Sequence, residues 1–356
     1  GGKLKYADQM RTLHSLLRRT ASTTPEKPGG NILNMLSQLL TDLQGYDFSH
    51  LSIRQAYLSG ISLHNINLAY SNVSKCMFYH DFSSICSIVF SPDGRFLATG
   101  DIDGYIRLWD TSSYQLISAI YGHTDIIRSV AFSPDGSLIA SGSEDAIVKI
   151  WNIATEECLL SLKGHVGKVQ SVCFNPSERI LLSSSDDKTI RQWDTVTGEN
   201  LCILTGHTER VRSVAFSPSG QMIAGGSDDE TVKIWERTNQ ISKTLQGHTG
   251  GVTSIAFRPD ERKISISCDD GTVKICDVDS SHCISTLFVH RDKIKSIAFS
   301  FGNGDLLASG GEDCTIKIWD VNAEKCLQTI QGHADSVDSI AFSPDNNVIA
   351  TSSRDE

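Results

Sequence analysis

Histidine and aspartate recur along this chain at a fixed separation, and side by side they could do acid–base or metal chemistry. His80, His123, His165, His207, His248, His290 and His333 are each followed, 22 or 23 residues later, by Asp103, Asp145, Asp187, Asp229, Asp270, Asp313 and Asp355. Six residues after the Asp stands Trp109, Trp151, Trp193, Trp235 or Trp319, with Cys276 in that place once. An imidazole beside a carboxylate moves protons, and clustered His and Asp ligate divalent metals. The spacing argues against both. A catalytic centre is singular, whereas this pair returns every 41 to 43 residues, each His tied by register to the Asp of its own copy. No catalytic residue, no cofactor and no metal is therefore expected.

The elements that position these residues come from the same period. A Phe follows most of the His residues by nine positions (Phe132, Phe174, Phe216, Phe257, Phe299, Phe342), closing an alternating run such as Ile127 to Phe132. Pro134-Asp135-Gly136 then makes a turn, because Pro fixes φ early and Gly supplies the positive φ after it. Runs at Leu138 to Gly142 and Ile147 to Trp151 follow, and Gln115 to Ile120 is a fourth strand ahead of the next Gly-His. A sheet of four such strands is too small to bury both faces, so neighbouring copies must stack. Seven copies predict an all-β ring.

The Gly122-His123 pair, the Phe132-Ser133-Pro134-Asp135-Gly136 turn and pairs such as Trp193-Asp194 resemble the WD40 repeat family over residues 80–356. The resemblance implies a seven-bladed β-propeller. It also implies a structural network in each blade: His, a Ser or Thr of the second strand, the Asp of the following turn, and the Trp of the third strand. Complete sets are Thr99, Asp103 and Trp109 with His80; Ser141, Asp145 and Trp151 with His123; Ser183, Asp187 and Trp193 with His165; and Ser309, Asp313 and Trp319 with His290. The fourth blade has Gly225 in the Ser position, so His207 keeps Asp229 and Trp235. The fifth has Ile266 for Ser and Cys276 for Trp, which leaves His248 and Asp270 only each other. The seventh supplies His333, Thr351 and Asp355, then the chain stops at Glu356. Its third strand is missing, so the expectation is an incomplete last blade, an open edge at residues 349–352, and a natural chain that continues.

In WD40 families the inner-strand positions and the residue before the structural Asp gather at one rim, where partners dock. Here they are Arg128, Lys168, Gln170, Arg210, Arg212, Lys293 and Lys295, with Glu144, Asp186, Asp228, Asp269 and Glu312 around them. Two accounts stay open: ion pairs that neutralise one another, or a charge-patterned face for a protein or peptide.

Upstream, residues 1–44 read as a helical segment with a linker, its second helix carrying Ile32, Met35, Leu36, Leu39, Leu40 and Leu43. Between 45 and 79 a period of five appears, at Phe48, Ile53, Leu58, Leu63, Leu68, Val73 and Phe78, which resembles the pentapeptide-repeat family and its β-coil. The stretches Gly30-Asn31-Ile32-Leu33-Asn34-Met35-Leu36 and Gly45-Tyr46-Asp47-Phe48 are similar to bacterial signal-transduction NTPases of the STAND class, with NB-ARC or NACHT modules, in which a terminal propeller is the sensor. The resemblance implies N-terminal modules in a longer parent chain. No Gly-x-x-x-x-Gly-Lys-Ser/Thr loop occurs in these 356 residues. The alternative is a constitutive scaffold for a multiprotein complex.

Residues 1–30 carry a net charge of +4, leaving about −14 for the rest of a chain at −10, so no direct nucleic-acid partner is expected. The longest apolar runs are too short to span a bilayer, and no secretory leader precedes them; a cytoplasmic protein with no membrane partner is expected. The ten Cys contain no Cys-x-x-Cys. Cys158, Cys202, Cys283 and Cys326 fall on separate outer strands, so free buried thiols are expected rather than bridges.

Overall fold

The turn that links the first two strands of most repeats shows how local sequence dictates shape. Ser133 Oγ donates to Asp135 at 2.6 Å and accepts from the Leu138 N–H at 2.9 Å, pinching the chain around Pro134. Ser91 with Asp93 and Ser343 with Asp345 do the same at 2.6 Å. Those hydrogen bonds hold the Asp93 carboxyl at about 2. The next turn needs a left-handed residue, at Ala146, Lys188, Glu230 and Cys314 in four repeats and at Gly104 and Gly271 in two. Gly104 has no alternative: a Cβ there would lie 2.1 Å from the His123 carbonyl oxygen.

The computed structural model describes residues 84–236 and 242–355. The chain divides at Phe82, and the unit from Ser83 to Glu356 holds the described residues. The helical segment, the pentapeptide-like stretch and His80 lie outside the described residues. Blade one comprises β1 (Ile85–Phe90), β2 (Phe96–Asp101), β3 (Tyr105–Asp110) and β4 (Leu116–Tyr121). Blade two is β5 (Ile127–Phe132), β6 (Leu138–Ser143), β7 (Ile147–Asn152) and β8 (Cys158–Lys163). Blade three is β9 (Val169–Phe174), β10 (Ile180–Ser185), β11 (Ile190–Asp194) and β12 (Asn200–Leu204). Blade four is β13 (Val211–Phe216), β14 (Met222–Ser227), β15 (Val232–Glu236) and β16 (Ser242–Leu245). Blade five is β17 (Val252–Phe257), β18 (Lys263–Cys268), β19 (Thr272–Asp277) and β20 (Cys283–Phe288). Blade six is β21 (Ile294–Phe299), β22 (Leu306–Gly311), β23 (Thr315–Asp320) and β24 (Lys325–Gln331). β25 (Val337–Phe342) and β26 (Ile349–Ser353) form a two-stranded sheet. Every sheet is an antiparallel meander in chain order. The result is an all-β propeller of six four-stranded blades with a partial seventh.

The core lies between blades. Ala98, Ile106, Ile127, Val130, Ile139 and Trp151 join blades one and two, and Val148, Ile150, Val169, Val172 and Leu181 join two and three. Ile127 and Val169 are fully buried, each worth roughly 2–3 kcal/mol of transfer free energy. Their approach requires glycine opposite: a Cβ on Gly142 would come within 2.6 Å of Val169 Cγ1, and one on Gly100 within 2.5 Å of Ile127 Cγ2.

One sequence expectation fails here. Cys276 and Cys283 form a disulfide. They face each other across β19 and β20, where a one-residue irregularity after Ile275 brings the two into register. Spacing alone did not reveal that register. Nor are all the remaining thiols buried: Cys158 is exposed, and Cys202 and Cys326 are partly so.

Candidate functional site

The repeated polar groups occupy the joint between each blade's entry loop and its second and third strands. In blade two His123 Nδ1 lies 2.9 Å from the Asp145 carboxylate and Nε2 lies 2.7 Å from Ser141 Oγ, which also accepts from Trp151 Nε1 at 2.9 Å. A neutral imidazole satisfies the whole chain: Nδ1–H donates to the carboxylate, Ser141 O–H donates to Nε2, and the indole N–H donates to Ser141. Asp145 further accepts the backbone N–H groups of Thr124 and Ile147. Blade three repeats this with His165, Asp187, Ser183 and Trp193 at 2.7 to 2.8 Å. Burial works to raise the Asp187 carboxyl, yet the hydrogen bonds from His165 and Thr189 outweigh it and hold it below the usual carboxylate range. Burial lowers His123, against the pull of Asp145. Proton-relay geometry is present, but every member is committed within its own blade.

The other blades vary the theme. In blade seven His333 meets Asp355 at 3.0 Å and Thr351 at 2.8 Å. In blade four His207 meets Asp229 at 2.8 Å, while Nε2 faces the Gly225 carbonyl at 3.2 Å. Both acceptors ask for an N–H, and burial, which lowers the His207 pKa, opposes the doubly protonated ring that would serve both. In blade six His290 pairs with Asp313 at 2.9 Å and Ser309 at 2.8 Å. The Trp319 indole N–H, expected on Ser309, is buried without a partner.

In blade one the expected pairing of Asp103 with His80 lies outside the described residues on its His side. Two positions before Asp103, where other blades carry Ser143, Ser185 or Ser227, stands the buried Asp101, which pairs with Arg107 and accepts the N–H groups of Asp103 and Tyr105. Trp109 Nε1 still donates to Thr99 Oγ1, at 3.1 Å. Blade five corrects the pairing of His248 with Asp270. His248 Nδ1 turns instead to Cys268 Sγ at 3.7 Å, and Nε2, opposite the apolar Ile266, has no partner. Asp270 takes the hydroxyls of Thr249 and Thr272. Burial, then Lys274, push His248 down to about 4, although Asp270 pulls the other way.

The candidate partner residues form ion pairs around the mouth of the ring. Arg128 Nε donates to Glu144 at 2.7 Å, and Lys168 of the next blade pairs with the same carboxylate. Gln170 donates to Asp186 at 2.8 Å. Asp228 receives both Arg210 and Arg212; Arg212 also lies 3.8 Å from Asp269, which Lys293 reaches at 2.6 Å. Lys295 pairs with Glu312 at 2.7 Å, and Arg354 donates to Asp338 at 2.7 Å.

Sequence reasoning missed a second set of hydroxyls. Ser87 accepts from the Val130 N–H at 3.0 Å, Ser129 from Val172 at 3.1 Å, Ser213 from Ile255 at 3.2 Å, Ser254 from Ile297 at 3.4 Å and Ser296 from Ile340 at 3.2 Å. Ser339 accepts from Ile88 at 3.2 Å and shuts the ring. The signal was present, since Ser stands three residues before every blade's closing Phe. Among the described residues the exception is the junction of blades three and four. A cleft of about 210 Å³ lies there, lined by Ile180, Gln192, Leu201, Leu204, Ile223 and Trp235.

No group of three or more His, Cys, Asp or Glu among the described residues is arranged to hold a metal. Burial pushes the Cys173 and Cys268 thiols up to about 12, which removes them as nucleophiles at neutral pH.

Comparison with known proteins agrees with this geometry. A family profile described as "WD domain, G-beta repeat" matches residues 73–110, 114–152, 156–194, 198–236, 239–277, 281–320 and 324–356. Its first match begins inside the stretch read above as a β-coil. An uncharacterized WD repeat-containing protein of Nostoc sp. is 41% identical over 116 residues, 32% of this chain and 9% of that protein. A second from the same organism is 37% identical over 124 residues, 34% of this chain and 8% of its own length. The general transcriptional corepressor TUP1 of Saccharomyces cerevisiae is 49% identical over 39 residues, 11% of this chain and 6% of that protein. The matched segments thus span under a tenth of each relative's length.

Proposed function

Because the chain belongs to the WD40 repeat family, a non-catalytic protein-interaction fold, we propose that it is a scaffold that docks a protein or peptide on the rim around the mouth of the ring. One observation carries this reading. The network of His, Ser, Asp and Trp is used up inside the blades, whereas residues from the inner strands and turns of successive blades converge on one end, linked across blades by Lys168–Glu144, Arg212–Asp269 and Lys293–Asp269. Residues outside the fold's own network are the ones available for recognition. The short likeness to a transcriptional corepressor favours assembly over switching. The sensor reading shares the same rim and differs in requiring an ATPase module upstream in the parent protein.

The test is a triple substitution of Arg128, Arg212 and Lys295 to Ala. Without Arg128 and Arg212, Glu144 and Asp228 keep Lys168 and Arg210, and Lys295–Glu312 is a partly exposed pair worth under ~1 kcal/mol, so the melting temperature should fall only slightly. Binding of a purified partner, first identified by cross-linking to the unaltered chain, should be lost. A control with Phe301 and Asn346, two residues of the turns at the other end of the strands, changed to Ala should keep it. Retained binding in the triple variant removes the rim from the mechanism.

A further inference from the structure

The rim ion pairs are layered, and the layering differs around the ring. In blades seven, two and four the carboxylate lies beneath and the cation above, and Lys168 of blade three overlies the Glu144 of blade two, while blade three's own Asp186 faces the neutral Gln170. Glu144 is 5% exposed while Lys168 is 50% exposed; Asp228 is 18% against 48% for Arg210; Asp338 is 8% against 42% for Arg354. On the far side the order inverts: Glu312 is more exposed than Lys295, and Asp269 more than Lys293. The outermost charges therefore divide into a mainly cationic arc and, opposite it, an acidic one.

The cations of the arc also retain donor capacity. Arg210 and Arg354 each hold their carboxylate through Nε, so the two Nη nitrogens remain to fork a second carboxylate in a bidentate pair. Lys168 spends one of three N–H groups on Glu144. The buried acids below hold these side chains in place, which lowers the entropy lost on binding.

We propose that the partner docked by this rim, on the reading given above, is an acidic peptide whose carboxylates bridge Arg354, Arg128, Lys168 and Arg210 across blades seven, two, three and four. A nucleic acid is disfavoured, because the chain as a whole carries −10 and its field repels an extended polyanion. A short peptide meets only the local arc, within a Debye length of about 8 Å. The acidic segment opposite, Asp269 with Glu312, fixes direction by repelling a peptide laid the wrong way round.

The experiment uses the full chain and fluorescein-labelled hexaglutamate, with hexaserine and hexalysine as controls, read by fluorescence anisotropy at low and physiological salt. Hexaglutamate should bind, more weakly at higher salt, and hexaserine and hexalysine should not. Lys168→Gln with Arg210→Gln should weaken it by about tenfold or more with an unchanged circular-dichroism melt, and Arg262→Gln, in the exposed turn between β17 and β18 at the other end of the strands, should leave it as it was. The proposal is overturned by absent hexaglutamate binding, by equal binding to the double variant, or by hexalysine binding as tightly. A rim that still captures the cross-linked partner while ignoring hexaglutamate keeps the scaffold reading and rejects the acidic peptide. If the double variant melts early, Lys168→Arg with Arg210 kept decides: retained charge must retain binding.

Discussion

Blades two and five share strand order and register, yet they hold their entry loops by different means. In blade two a buried imidazole links a carboxylate, a hydroxyl and an indole in one uninterrupted chain of hydrogen bonds. In blade five the hydroxyl is Ile266 and the indole is Cys276, so the imidazole of His248 is left with a thiol on one side and nothing on the other. Blade five compensates twice. Ile264, Ile266, Cys268 and Cys276 extend an apolar cluster shared with blade four, and Cys276 ties the third strand to the fourth through Cys283. One blade is specified by directional polar contacts, the other by burial and a covalent tie. The same backbone tolerates both because the Cα positions are set by the strand ladders, not by the network.

The largest expected effect tests the polar side of this contrast. Asp145→Ala strands His123 and two backbone N–H groups in a buried site and should cost about 4 kcal/mol in urea unfolding. Asp270→Ala, whose donors are mostly threonine hydroxyls at a more exposed turn, should cost about 1 kcal/mol. Equal losses would mean that the two blades are held alike.

Acidity should separate them next. The folded chain holds His248 at about 4, below the ordinary value of 6.5, so as pH falls the unfolded state takes up its proton first. The stability tied to the neutral ring is complete above about 6.5 and is lost as pH falls through about 4, a total near ~3 kcal/mol. His248→Gln should flatten that part of the pH profile measured by thermal unfolding. Carboxylates such as Asp187, held low in the fold, act in a lower window: their contribution is present above about 4 and fades only in stronger acid. A profile unchanged by His248→Gln would show that the isolated imidazole is accommodated without cost.

The last test, with a smaller effect than that of Asp145 or His248, concerns the covalent tie. Cys283→Ser opens a closed loop of about seven residues and should cost about 2 kcal/mol. Amide exchange should quicken in β20 and stay as it was in β8. Faster exchange in both strands would mean that the bridge braces the whole ring and not one blade.

Much of the architecture was legible because the period was: seven copies of one His-to-Asp spacing leave few arrangements besides stacked four-stranded sheets. The polar network was legible in full at His123 and His165; at His290 all four residue types are present, but the Trp319 indole does not reach Ser309. The spacing did not disclose the buried Asp101, which pairs with Arg107 across β2 and β3, because that position holds Ser143, Ser185 or Ser227 in other blades. The Cys276–Cys283 bridge depended on a one-residue irregularity in strand pairing, which no count of residues reveals. At the rim, the sequence placed the charges, but which member of each pair lies outermost is a matter of side-chain depth. The inner-strand serines were visible throughout; their partner is a main-chain N–H on the next blade, a group that side-chain motifs do not register.

Those serines give the molecule a sense of rotation. In each of the six bonds the later blade donates and the earlier one accepts, with Ile88 and Ser339 carrying the sequence past the chain's own start. The ring is thus a hoop with a direction, clasped at its first and last blades; between blades three and four the serine bond is missing, and packing around Leu182, Val211 and Val214 together with the Asn175–Gly220 hydrogen bond joins them instead. For an engineer who needs a fresh pair of chain ends or room for a grafted peptide, the loop over residues 205–210 spans the one such junction, among the described residues, that no serine bond crosses. A cut beside Ser339 would release the clasp.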